Sequence, residues 1–146
     1  IVIKKVIDLE KIQNNNPIMK KLLALLFSIL ISFNTYGEFV EVASAADDSF
    51  TVYIDIATIK ENKGYVYYWT LRDLLVPNAY GTMSAKLYFQ VDCGIFKEKV
   101  LSYNYFKQPM GQGDVEIDTP SDPKWMYPTS TSVDGIVLDY ACDYVK

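Results

Sequence analysis

Residues 84–93, Ser-Ala-Lys-Leu-Tyr-Phe-Gln-Val-Asp-Cys, decide the fold. Ala85, Leu87, Phe89, Val91 and Cys93 alternate with Lys86, Tyr88, Gln90 and Asp92. A period of two sends successive side chains to opposite faces of a strand, so one face is apolar and turned to a core while the other is polar and aromatic. On this pattern Cys93 points into the core.

Working outward, the same alternation recurs on both sides. Upstream, residues 49–56 place Phe50, Val52, Ile54 and Ile56 on one face, and residues 38–42 oppose Phe39 and Glu41 to Val40 and Val42. Glu61-Asn62-Lys63-Gly64 reads as a four-residue turn, with Gly64 where positive φ is easiest, opening a strand over 65–71 and predicting a hairpin. Pro77, Asn78 and Gly81 mark a loop. Downstream, residues 97–106 read as the next strand, followed by Pro/Gly-rich loops at 108–113 and 119–124 around a short strand at 114–117. That makes about six strands, antiparallel because connections this short leave no room for crossover helices.

One helix is expected, at the end of the chain. Ser132 can cap it, and Val133, Ile136, Val137, Tyr140, Ala141 and Tyr144 recur at helical spacing, with Asp139 and Asp143 on a solvent face. At about 100° per residue, Cys142 falls opposite Val133. The buried face is therefore centred on Val137, Leu138 and Ala141, with Cys142 at its margin. The fold class is α+β, mainly β: an antiparallel sheet of about six strands with one C-terminal helix.

Composition removes whole classes of chemistry. The chain has 146 residues and no histidine, which excludes Ser-His-Asp and Cys-His nucleophile pairs and His-ligated zinc. Two cysteines, Cys93 and Cys142, are too few for a zinc cage and too far apart for a Cys-x-x-C redox motif. A single disulfide joining strand to helix is the reading, in keeping with an oxidising compartment.

Such a compartment agrees with the start of the chain. Met19-Lys20-Lys21 opens a positive n-region, and residues 22–33 hold no charge and only Ser28 and Ser32 as polar groups. This is a signal-peptide pattern, too short for a spanning helix, with Thr35-Tyr36-Gly37 supplying a cleavage site before Glu38. Residues 1–18 read as over-extended upstream translation, and residues 38–146 as the mature, exported domain, in the periplasm or at the outer-membrane surface. That domain carries nine Lys and Arg against 16 Asp and Glu, a net charge of −7, which disfavours nucleic acid and anionic membranes as partners.

No catalytic constellation emerges. Asp114, Glu116 and Asp118 lack the glycine and the distal glutamate of a calcium loop and read as a solvated strand edge rather than a glycosidase acid pair. Ser84 and Lys86 share a strand face as structural residues, and the Met110-Gly111-Gln112-Gly113 stretch is a turn rather than a phosphate cradle. Neither an enzyme activity, a cofactor nor a metal is expected.

The pieces follow an order that resembles the surface-adhesin protein E family of small exported bacterial domains. They are Tyr53-x-Asp55 followed by Ile59, the Gly64 turn with Tyr68-Trp69 after it, and Ser84-x-Lys86 leading to Asp92-Cys93. Tyr105 then precedes Pro109-Met110-Gly111-Gln112-Gly113, and Trp125, Pro128, Ser132 and Cys142 complete the series. The resemblance spans essentially all of residues 38–146. It implies a sheet with its C-terminal helix tethered by the disulfide, and a non-enzymatic role in binding host matrix or plasma proteins. In the adhesin that names the family, binding is associated with a lysine-bearing segment. The nearest equivalent here, Lys97, Lys99 and Lys107, is diluted by Glu98.

Eleven tyrosines and two tryptophans in residues 38–146 exceed what one small core requires, and such side chains anchor interfaces. Two candidate contact sets result. Tyr103, Tyr105 and Met110 lie beside loops that Gly111, Gly113, Pro120 and Pro123 keep irregular, and Tyr65, Tyr67 and Trp69 share one strand face. The expected partner is a host matrix protein, an envelope component or a second copy of the chain. A periplasmic inhibitor or envelope-assembly accessory is the alternative role.

Overall fold

The computed structural model describes residues 17–18, 20–22 and 37–146. The chain divides into two units, residues 1–36 and 37–146, and the second is described below. The expected upstream extension and signal peptide lie outside the described residues, except that 17–18 and 20–22 are helical. Among the described residues no helix is long and apolar enough to cross a membrane.

Seven strands form one antiparallel sheet: β1 (Phe39–Ser44), β2 (Phe50–Asp55), β3 (Lys60–Asn62), β4 (Tyr65–Leu74), β5 (Ser84–Asp92), β6 (Lys97–Phe106) and β7 (Val115–Asp118). A C-terminal helix, α1 (Val133–Tyr144), completes the domain. The strand order is β1-β2-β4-β5-β6-β7, with β3 also paired to β4. β2 and β3 lie end to end along one edge of β4, separated by a single 3₁₀ turn at Ile56–Thr58. Where that turn interrupts the ladder, the Thr58 hydroxyl accepts the Trp69 N–H at 3.0 Å and donates to the Asp55 carbonyl at 2.7 Å.

The seventh strand arises because the hairpin turn is tighter than its four residues imply. Lys63 and Gly64 alone make the turn, both at positive φ (53° and 81°), a geometry that matches the twist of the flanking strands. Glu61 and Asn62 are thereby freed to pair with Val66 and Tyr65.

The face under the helix is the core. Val52, Ile54, Val66, Tyr68, Ala85, Leu87, Phe89, Val91 and Val100 meet Val137, Leu138, Ala141 and Cys142. Ile136 and Tyr144 are 41% and 52% exposed, so the helical-spacing stripe running through them is not the buried face. The face centred on Val137, Leu138 and Ala141 is. Ser132 caps the helix, its hydroxyl accepting the Gly135 N–H at 3.1 Å and donating to the Thr129 carbonyl at 2.7 Å. The 129–132 turn folds back so closely that a Cβ on Gly135 would lie 1.9 Å from the Thr129 oxygen.

Cys93 and Cys142 form the disulfide, closing a separation of 49 residues. Cys93 itself is exposed rather than turned into the core. β5 ends at Asp92, whose carboxylate accepts the N–H groups of Gly94 and Ile95 at 3.1 Å and bends the chain out of the alternation one residue early. Cys142 is the buried partner.

Candidate functional site

The strand register fixes which side chains share the helix-free face. Pairing runs Lys60–Tyr67–Gln90–Lys99 in one transverse row and Trp69–Tyr88–Ser102 in the next. Adjacent strands stand about 4.8 Å apart, so the rings of these rows are in mutual reach. Trp69 stacks on Tyr88 at 4.9 Å, Tyr67 leans on Tyr88 at 6.1 Å, and Tyr65 stacks on Trp125 at 5.8 Å. Trp125 arrives from the loop after β7, tethered by a pair of backbone hydrogen bonds between Met126 and Glu98. The ammonium groups of Lys97 and Lys99 lie 4.4 and 4.6 Å from its ring centre, close enough for cation–π attraction.

These five aromatic residues are half-buried, neither covered by the helix nor freely solvated. A surface pocket of about 250 Å³ opens among Ala57, Thr58, Lys60, Trp69 and Tyr88. At the opposite end the face is closed. There the Pro109–Gly111 turn lies over Leu71, its Met110 N–H donating to Asp73 at 2.6 Å and its Gly111 N–H to the Ser84 hydroxyl at 2.9 Å. Ser84, fully buried, also donates to the Gln108 carbonyl at 2.6 Å. Its hydroxyl is therefore committed to holding this turn.

The two sequence-derived contact sets fare differently. Tyr65, Tyr67 and Trp69 are brought together and joined by Tyr88 and Trp125, which sequence reasoning did not place with them. Tyr103 and Tyr105 are separated from Met110: they stack on each other at 6.0 Å on the helix side and pack partly against the core. Met110, 40% exposed, belongs to the turn over the other face. The cause is a β-bulge in β6. Tyr88 pairs with Ser102 and Phe89 with Val100, so Leu101 is an inserted residue that reverses the facing of everything after it. Tyr105 instead lines a second pocket, of about 370 Å³, with Tyr80, Lys107 and Glu116. Burial raises the hydroxyl pKa of both Tyr103 and Tyr105, with further contributions from Asp118.

Glu98 lies on the near side of the bulge, where the alternation is regular. Lys97 and Lys99 therefore face the aromatic side while Glu98 is buried on the other, 2% exposed. It does not dilute the lysines. It lies instead near the ion pair of Arg72 with Asp134, 2.8 Å, at the start of α1. Burial raises its carboxyl pKa to about 8, Asp134 adding to the effect and Arg72 opposing it. Burial likewise pushes the Tyr68 hydroxyl well above the ordinary tyrosine range, and that hydroxyl has no hydrogen-bond partner among the described residues.

Together these features define a small disulfide-tethered domain whose sheet is sealed by a helix on one face and offers an aromatic surface on the other. The chain belongs to the surface-adhesin protein E family, whose sequence pattern matches residues 39–143. Two solved structures of Haemophilus influenzae protein E share the fold. One, crystal form II, is 14% identical with a TM-score of 0.55, covering 77% of this chain and 94% of that one. The other is 13% identical with a TM-score of 0.52, covering 75% and 87%. No curated protein sequence matches the chain.

Proposed function

We propose that this domain is an exported, non-enzymatic adhesin module that grips a host matrix or plasma protein through the helix-free face carrying Tyr65, Tyr67, Trp69, Tyr88 and Trp125. The observation that carries this reading is the contiguity of those rings. They form a half-exposed band across β4, β5 and the post-β7 loop, bordered by Lys60 of β3 and Lys97 and Lys99 of β6. Tyrosine and tryptophan supply contact area with few rotatable bonds, so they lose little entropy when a partner covers them. Family membership favours attachment over catalysis. Residues 38–146 without the leader are the exported form, displayed at the outer surface.

The test is a pull-down from matrix, plasma and envelope extracts, compared between the natural chain and the Trp69→Ala and Tyr88→Ala variants. Capture of a matrix or plasma protein, weakened by both substitutions in folded protein, supports the reading. Capture of an envelope component only, with the protein released from intact cells by osmotic shock and shielded from added protease, would replace it with the periplasmic role.

A further inference from the structure

Glu98 is the one charged residue buried among the described residues, and no hydrogen bond or ion pair from those residues reaches its carboxyl. Arg72 and Thr70 of β4, Phe89 of β5, and Asp134 and Val137 of α1 line a gap with it that leaves no room for a water molecule. Tyr68 of β4 and Tyr103 of its own strand are within electrostatic reach. Two carboxylates thus share one guanidinium, Glu98 buried beneath it and Asp134 on its solvent side, 45% exposed. Arg72 spends an Nη2 donor on Asp134 and keeps its buried Nε without an acceptor.

We propose that Glu98 is a proton-operated latch: protonated, it lets Arg72 hold the first turn of α1 through Asp134, and ionised, it draws Arg72 away and loosens both that turn and the seating of Trp125. The chemistry of the two states differs in kind. A neutral carboxyl beside the Arg72–Asp134 pair leaves the site balanced. An anion places a second negative group beside one guanidinium, in a gap with no room for a water of its own, where the Arg72 Nε and the Tyr68 hydroxyl are donors without partners among the described residues. The link to the aromatic face is short, two backbone hydrogen bonds and one peptide bond. Glu98 exchanges both backbone hydrogen bonds with Met126, at 2.9 and 2.7 Å, and Met126 is the residue after Trp125. Protonation chemistry on the core side therefore reaches the opposite face through one backbone bridge, and the raised carboxyl pKa of about 8 sets the latch to release in mildly alkaline solution.

The experiment is acrylamide quenching of Trp125 fluorescence in the full chain carrying Trp69→Phe, which leaves Trp125 as the sole tryptophan, between about pH 6 and 9, about a unit below the ordinary tyrosine pKa. Quenching should rise sigmoidally with a midpoint near 8. Glu98→Gln should abolish the rise, and Asp134→Asn should lower the midpoint by about one unit, since it removes a like charge and frees Arg72. A flat profile with Glu98 present, or the same transition in Glu98→Gln, overturns the latch. Carboxyl-carbon NMR titration of the unsubstituted chain reads Glu98 directly and does not depend on any variant folding; a midpoint below about 6 overturns it too. No partner is needed, so the outcome is independent of the proposed binding role.

Discussion

The two faces of the sheet are made from alternate residues of the same strands, yet they obey different rules. On the covered face the residues of β4 and β5 are Val66, Tyr68, Ala85, Leu87, Phe89 and Val91, all buried against a helix that a disulfide keeps in place. On the open face the same strands carry Tyr65, Tyr67, Trp69, Lys86, Tyr88 and Gln90, all half-exposed, with Tyr67 and Trp69 both in ring contact with Tyr88. Stability resides in the first set and contact area in the second. Tyr68 and Trp69, adjacent in sequence and opposite in facing, give the sharpest contrast.

The largest expected effects lie on the covered side. Replacing both cysteines by serine removes a cross-link over 49 residues of separation, which the chain-entropy model values at about 4 kcal/mol. Thermal unfolding should shift down by roughly 15 °C or more. Tyr68→Ala, at a fully buried position stacked on Phe89 at 5.4 Å, should cost about 3–5 kcal/mol. Urea unfolding measures both, and a loss under about 1 kcal/mol for either would erase the division between faces.

Gly135→Ala comes next. The new methyl group meets the Thr129 carbonyl, a backbone atom that cannot swing aside, so about 1–3 kcal/mol should be lost although alanine is the better helix former. An alanine variant as stable as the parent would show that the 129–132 turn does not fix the helix position.

The pH dependence of stability sharpens the same contrast from the inside. Glu98 has a folded pKa raised to about 8 from an ordinary value of 4.5, so between those values the folded state holds a proton that the unfolded state has lost. Its stabilising contribution is complete below about pH 4.5 and disappears as pH rises through about 8. Denaturation midpoints should therefore fall across that interval in the parent and fall less in Glu98→Gln.

Much of this division is legible in the sequence, because period-two alternation needs no knowledge of neighbours. Residues 84–91 announce their own facing, and so do 50–54. What escapes the pattern is whatever interrupts it. The bulge at Leu101 has no residue signature, yet it decides that Tyr103 and Tyr105 join the helix side. The Asx turn at Asp92 removes Cys93 from the alternation, and only the register of β5 beside β4 brings Tyr88 to Trp69. The grouping of Lys97 with Lys99 was available from alternation alone, since Glu98 between them must face the other way. Trp125, from a loop, is placed by a backbone bridge that no sequence pattern foretells.

On the open face, Trp69→Ala should cost less stability than Tyr68→Ala while weakening partner capture by more than about 1 kcal/mol if Trp69 is a hot spot. The reason is that Trp69 is only half-covered and its backbone N–H stays bonded to Thr58 whatever the side chain. Calorimetric titration with the captured partner, run beside urea unfolding, separates the two quantities. Equal losses of stability for the two alanine variants would make the open face part of the fold rather than a surface in waiting.

The smallest effect isolates a single atom. Tyr68 is buried to the level of the core, and its hydroxyl oxygen has no hydrogen-bond partner among the described residues. Removing an unsatisfied buried polar group returns its desolvation cost, whereas removing the ring under it forfeits the packing. Tyr68→Phe should therefore leave the fold intact and be neutral or up to about 1 kcal/mol more stable, opposite in sign to Tyr68→Ala. The gain should persist at high pH, where the hydroxyl, already held well above the ordinary tyrosine range by burial, Glu98 and Asp134, becomes a further liability as it approaches ionisation. A clear loss of stability in Tyr68→Phe would mean that the hydroxyl has a partner in solution, and Glu98, the carboxyl that acts on it most strongly, is where that partner would be sought.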